Sequence, residues 1–218
     1  MNNNNYRSQS YWDWEWFKTR LEFNMETIMR GLKPDGLFFT SDTHFNHINI
    51  LDYCQRPFDN IEQMNEALIN NWNRVVGKND IVFHLGDFSF GGASCWNNII
   101  DRLNGKIYLV VGNHDLRNMR PSIMNRFECV AMQMYIEVEE QPIYLNHHPF
   151  LCYGGSYDNV WQLFGHVHTR HNNTGQDAPR LNVLFPTQYD VGVDANSYTP
   201  VSYRQVKEFI NQQIISKQ

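Results

Sequence analysis

The residues best able to do chemistry fall in five short clusters. They are Asp42-Thr43-His44, Gly86-Asp87, Gly112-Asn113-His114-Asp115, Asn146-His147-His148-Pro149 and Gly165-His166-Val167-His168. Carboxylate, amide and imidazole groups supply oxygen and nitrogen donors without thiolate, a set suited to Mn, Fe, Zn and similar divalent ions. Residues two apart in an extended segment point to the same side. Asp42 and His44 are thus expected to present a carboxylate beside an imidazole, and His166 and His168 two imidazoles. The glycines ahead of Asp87, Asn113 and His166 permit sharp turns that a Cβ would resist. Seven candidate ligands are more than one zinc takes, and they fit two ions sharing a carboxylate about 3.5–4 Å apart.

The elements that position these clusters are read from hydrophobic pattern. Buried strands are expected over 37–42, 80–87, 106–113 and 160–168, with a hairpin over 132–148 turning at Glu139–Pro142. Helices are expected over 59–76, with Asp59 and Glu62 at its start, over 93–103, and over 203–215. Residues 189–203 read as strand and loop. Alternating strands and helices with apolar strands argue for an α/β sandwich. Each cluster then stands at the carboxyl end of a strand, the edge where α/β sheets bind ligands. Ahead of this, 1–10 reads as a flexible tail. Residues 11–32 read as a helix, with Ser10 and Asp13 resembling a capping box, a face of Trp14, Phe17, Leu21, Met25, Ile28 and Leu32, and a stop at Gly31 and Pro34.

The 218 residues suit one main domain, with 42% hydrophobic and 19% charged residues in the ordinary globular range. A net charge of −5 gives no basic excess of the kind that grips extended nucleic acid. Cys54, Cys95, Cys129 and Cys152 are scattered, which reads as reduced thiols in a cytoplasmic protein. The polar start lacks the apolar core of a signal peptide, and no apolar run is long enough to span a membrane.

Taken in order, the five clusters resemble the motifs of the calcineurin-like metallophosphoesterases, over about residues 36–204. "SDTHFNHINIL" and "DVGVDANSYTPVS" look like a small bacterial or phage-type branch. The resemblance implies a four-layer α/β/β/α sandwich over 36–218, with 11–35 as an N-terminal helical extension. It implies one ion held by Asp42, His44, Asp87 and His168, and another by Asp87, Asn113, His147 and His166, with Asp87 bridging. Manganese is the expected ion, with Fe, Zn, Ni or Co as alternatives. His114 would face the substrate phosphate and stabilise developing charge or protonate the leaving oxygen, with Asp115 orienting it or a ligand. A metal-bridging hydroxide would attack phosphorus in line.

Singly, Asp42-x-His44 reads as an ordinary loop and Gly86-Asp87 as a turn; the ordered set carries the argument. His148 competes with His147, and the family form His-x-Pro favours His147. His47 reads equally as a substrate contact or a helix cap. Arg56 and Arg170 are candidate phosphate clamps, although each alone is more often a surface charge. His84 reads as buried in its strand. "GDFSFGG" lacks the Asp-Arg-Gly run of the protein phosphatases in this superfamily. That run's absence disfavours a protein phosphatase, and a compact sheet with few insertions leaves the metal edge open, so the expected activity is phosphodiester hydrolysis on a nucleotide, cyclic nucleotide or short oligonucleotide, with a phosphomonoesterase or a non-catalytic scaffold as alternatives. The Trp-rich helix is a candidate homodimer contact.

Overall fold

A computed structural model of the protein describes residues 27–169 and 181–216. Two five-stranded sheets pack face to face. Sheet A has the order β1 (Thr27–Leu32), β6 (Gln133–Val138), β7 (Gln141–Asn146), β8 (Trp161–Phe164), β9 (Gln188–Asp190). Sheet B has the order β10 (Val201–Ser202), β2 (Leu37–Thr40), β3 (Ile81–His84), β4 (Lys106–Val110), β5 (Cys129–Ala131). In sheet B, β2 to β5 are parallel and β10 is antiparallel to β2. In sheet A, only the β6–β7 pair is antiparallel.

The layering follows from which residues are apolar on which face. In the hairpin, Met134, Ile136, Val138, Ile143 and Leu145 point inward and are fully buried, while Tyr135, Glu137, Tyr144 and Asn146 point outward. Those five meet Leu37, Phe39, Phe83 and Val110 of sheet B to form the core between the sheets. β4 alternates between two buried faces: Val110 faces sheet A, whereas Ile107 and Leu109 face the helices. A strand buried on both sides must be apolar throughout, which is why "KIYLV" shows no polar alternation.

The helices on the outer face of sheet B are α1 (Ile50–Tyr53), α2 (Ile61–Val75), α3 (Ala93–Ile100) and α4 (Pro121–Met124). α2 buries Met64, Leu68, Ile69 and Trp72. Its cap lies one residue later than the Asp59–Glu62 pair expected from sequence. The Asn60 side chain accepts from Gln63 N at 2.8 Å, and the Gln63 side chain accepts from Asp59 N. The arrangement resembles a capping box, except that Gln63 returns to the residue before the cap. The last helix, α5 (Tyr203–Ser216), buries Tyr203, Val206 and Ile210 in the core between the sheets.

Two expectations change. Residues 27–32 form an edge strand parallel to β6, not the end of a helix. The three- and four-residue spacing of apolar residues there loses to the free edge of β6, which supplies partners for the backbone of β1. The register shifts between Met29 and Leu32, where Gly31 takes φ +70°, the signature of a bulge. The remainder of the expected helix, 11–26, and the tail 1–10 lie outside the described residues. Strand ends also come early: β2, β3, β4 and β8 stop two to four residues short of the expected limits, because the polar clusters themselves are loop.

Candidate metal centre

The five clusters converge at the carboxyl ends of β2, β3, β4, β7 and β8. They do so by a different backbone route from the extended geometry expected. Asp42, His44, Asp87, His166 and His168 all have positive φ, at 57°, 49°, 56°, 72° and 48°. Non-glycine residues rarely occupy this region, and when they do the surrounding structure must hold them there, most often at functional sites. Asp42 and His44 nevertheless meet, with His44 Nε2 3.9 Å from Asp42 Oδ1. His166 and His168 do not sit side by side. His168 joins Asp42 and His44, and His166 joins His147 and His148.

Close approach explains two of the glycines better than turn geometry does. A Cβ on Gly112 would stand 2.2 Å from Asp87 Oδ1, and one on Gly165 would stand 2.3 Å from Asp42 Oδ2. Both carboxylates therefore lean on backbone that only glycine leaves bare. Asp42 Oδ2 also accepts from His166 N at 2.9 Å, so one carboxylate joins the loops of both sheets.

Asp87 lies at the middle. Its Oδ2 is 3.5 Å from His44 Nε2, 3.4 Å from His147 Nε2 and 4.0 Å from His114 Nε2. Burial alone would raise its pKa. The hydrogen bond and charge of His147, the charge of His44 and the N–H of His114 instead hold it well below the usual carboxylate range. Asn113 Oδ1 lies 2.9 Å from His147 Nε2, so both aim at a common point.

The second nitrogens of the imidazoles are also held. His147 Nδ1 lies 2.8 Å from Leu85 O, a carbonyl that can only accept, so Nδ1 carries the proton and Nε2 is the ligating atom of the neutral ring. His168 Nδ1 donates to Asp194 Oδ2 at 2.7 Å, and His44 Nδ1 meets His47 Nδ1 at 3.2 Å. Burial would lower the pKa of His147 and His168. Asp87 and Asp42 overcome this at His147 and raise it to about 9; Asp42 and Asp194 raise His168 to about 11. Burial, with neighbouring imidazolium charge, lowers His44 and His166, and takes His148 to about 4.

Asp42 Oδ1 and His44 Nε2 are buried without hydrogen-bond partners. An orphaned buried polar atom costs about 1–3 kcal/mol. Their placement beside Asp87 and His168, with oxygen and nitrogen donors all around, fits divalent ions.

Two other expected residues, Asp115 and Arg56, are enclosed behind the centre. Asp115 is fully buried and does not reach the cluster's open side. Its carboxylate accepts from Asp87 N at 2.7 Å, Phe88 N at 2.9 Å and Gly112 N at 2.9 Å, which locks two motif loops together. Burial and the Asp87 charge push its pKa up to about 7 against these three donors. Arg56 is not a phosphate clamp. Its guanidinium is buried and satisfied, with Nε and Nη2 donating to Asp194 at 3.0 and 2.8 Å and the two Nη atoms to the carbonyls of Thr43 and Asp42. The candidate Arg170 lies outside the described residues. His47 stacks on Phe90 with ring centroids 3.8 Å apart at the rim of the site. His114 is half exposed beyond Asp87. His84 is buried in β3, with Nε2 against Thr43 Oγ1 at 2.9 Å.

Sequence reasoning passed over Asp190 and Asp194. Asp194 receives both Arg56 and His168; Asp190 accepts from Gly192 N at 2.7 Å and holds Thr169 beside His168. Their signal was the run "DVGVD" after a strand, one more strand end carrying carboxylates. Among the described residues, no helix is long and apolar enough to cross a membrane.

Residues 37–195 match the family model described as calcineurin-like phosphoesterase. An uncharacterized protein of Methanocaldococcus jannaschii is 36% identical over 168 residues, which is 76% of this chain and 86% of that protein. A gene 66 protein of Mycobacterium phage D29 is 26% identical over 210 residues, covering 81% of this chain and 96% of its own. A crystal structure of an Aquifex aeolicus protein of unknown function superposes with a TM-score of 0.60 at 25% identity, over 79% of this chain and 97% of that one. With the family model spanning most of the chain and all five of its motif clusters, the protein belongs to the calcineurin-like phosphoesterases and is a metal-dependent phosphoric ester hydrolase.

Proposed function

We propose that the chain is a dinuclear phosphodiesterase, with manganese as its working ion and a nucleotide, cyclic nucleotide or short oligonucleotide as its substrate. The observation that carries the dinuclear reading is the position of Asp87 Oδ2, within 3.5 Å of imidazole nitrogens from two separate ligand clusters. One ion would lie among Asp42, His44, Asp87 and His168, and the other among Asp87, Asn113, His147 and His166. Such ions lower the pKa of water towards neutrality and neutralise phosphate oxygens.

The chain's own residues do the rest. Leu85 O and Asp194 fix the tautomers of His147 and His168, so that each presents Nε2, and His44 turns its Nε2 to Asp42 and Asp87 with Nδ1 against His47 Nδ1. His114 is the exposed imidazole nearest Asp87 Oδ2. It would stabilise charge on the phosphate or donate a proton to the leaving oxygen as the P–O bond breaks. A small or short substrate is favoured by the net charge of −5, which gives no electrostatic grip on long nucleic acid.

The test is hydrolysis of a bis-aryl phosphodiester and an aryl phosphomonoester with manganese, on wild type and His114→Ala. Diester turnover that falls about 10²–10³-fold in His114→Ala supports the assignment. Faster monoester turnover overturns the diesterase reading. A metal content near one ion per chain after manganese loading overturns the dinuclear one.

A further inference from the structure

A cavity of about 440 Å³ opens beside the metal centre, within the range of small-molecule sites. His148 and His166 form one wall, and both belong to the imidazole cluster with His147. The rest is apolar and includes Leu151, Val167, Val183 and Leu184, with no Lys, Arg, Asp or Glu among its described lining residues. Leu151 and Val183 are 70% and 63% exposed. Apolar side chains of this size around a concavity next to a reactive centre mark a binding surface.

The cavity and His114 meet the centre through different residues. The ring neighbours of His114 are His44, His47 and Phe90, and none of them lines the cavity. A leaving oxygen protonated by His114 would depart beside those rings. We propose that the apolar cavity binds the organic group that stays on phosphorus, and that this group is an uncharged ring. The apolar lining favours such a group: among the described residues no cation lines the cavity, and a phosphate desolvated against these side chains would oppose binding. The inference rests on the phosphodiesterase reading and narrows its substrate class.

The test keeps the leaving group constant and changes the retained one. Phenyl 4-nitrophenyl phosphate and methyl 4-nitrophenyl phosphate both release 4-nitrophenolate, so kcat/KM reports the retained group alone. Wild type is expected to favour the phenyl ester. The exposed-site variants Val183→Asp and Leu151→Asp should cut kcat/KM for the phenyl ester about tenfold or more while the methyl ester changes less than about twofold. Equal losses on both esters, or no change in their ratio, overturn the subsite and leave the phosphodiesterase reading intact. Turnover of neither ester by wild type with any divalent ion overturns that reading instead. The cavity is then judged by calorimetric binding of phenylphosphonate and methylphosphonate to the manganese-loaded protein. A phenyl preference lost in Val183→Asp supports the subsite, and equal binding overturns it.

Discussion

The two sheets contribute unequal halves to one centre. Sheet B supplies Asp42, His44 and Asp87, none more than 2% exposed, together with the exposed Asn113 and His114 at the end of β4. The loops of the first three are bonded directly to each other, with Asp42 N donating to Gly86 O at 2.9 Å and His44 N to Asp87 O at 3.0 Å. Asp115 and Arg56 add further bonds from behind. Sheet A supplies His147, His148, His166 and His168, and of these only His147 is fully buried. Strained backbone occurs in both halves, at Asp42, His44 and Asp87 in the first and at His166 and His168 in the second, and it holds the ligands at fixed coordinates. The open half carries imidazoles that face the cavity and solvent, where a substrate arrives. Substitutions in the first half should be read out in metal content and folding, and substitutions in the second in selectivity.

The largest expected effect is at the junction of the halves. Asp87→Asn keeps shape and removes the charge facing His44 and His147. Manganese-dependent kcat/KM should fall about 10³-fold, the upper range for losing one principal electrostatic group, and metal analysis should show at least one ion lost per chain. Activity within tenfold of wild type would remove Asp87 from the centre. Next comes the support behind the buried half. Asp115→Ala leaves the N–H groups of Asp87, Phe88 and Gly112 without their acceptor. At about 1–3 kcal/mol for each buried orphan, urea unfolding should show a loss of about 3 kcal/mol or more. A loss below about 1 kcal/mol would mean that water replaces the carboxylate, and that the half is less closed than its burial implies.

These two sites differ in how far the sequence reveals them. The ligand candidates are legible because chemistry restricts residue type: carboxylate, amide and imidazole at five strand ends have few other uses. The core of the fold is legible for a similar reason, since strands buried on both faces, such as β4, must be apolar. The supports are less legible. Asp194 bonds Arg56, 138 positions away, and no local pattern announces a partner at that distance. Arg56 itself reads as a phosphate clamp until its guanidinium is seen to be enclosed. β1 was hidden because edge pairing with β6, a tertiary event, overrides an apolar spacing that also fits a helix. The left-handed backbone at five ligand residues leaves no mark on sequence, because it is imposed by the loops around them.

The smallest expected effect is a count of protons, and it separates the imidazoles within the two halves. In the metal-free protein His147 and His168 are raised to about 9 and 11 by Asp87, Asp42 and Asp194. His44, His148 and His166 are lowered. At pH 7 the first two carry protons and the other three do not. A ligating imidazole must be neutral, so manganese uptake at pH 7 should release about two protons per chain. Calorimetry in two buffers of different ionisation enthalpy measures this directly. The sign for stability is opposite to that for binding. Both folded pKa values lie above the unfolded value near 6.5. The stabilisation of the metal-free fold is therefore complete below that pH and is lost as pH rises, through about 9 for His147 and about 11 for His168. Metal affinity instead rises with pH, about tenfold per unit below pH 9 for each ion that displaces one proton. Asp194→Asn removes the negative charge facing His168 Nδ1, so its proton should leave at lower pH and its share of the release at pH 7 should shrink. Release of about two protons by both wild type and Asp194→Asn would place the second proton elsewhere and break the pairing of Asp194 with the open half.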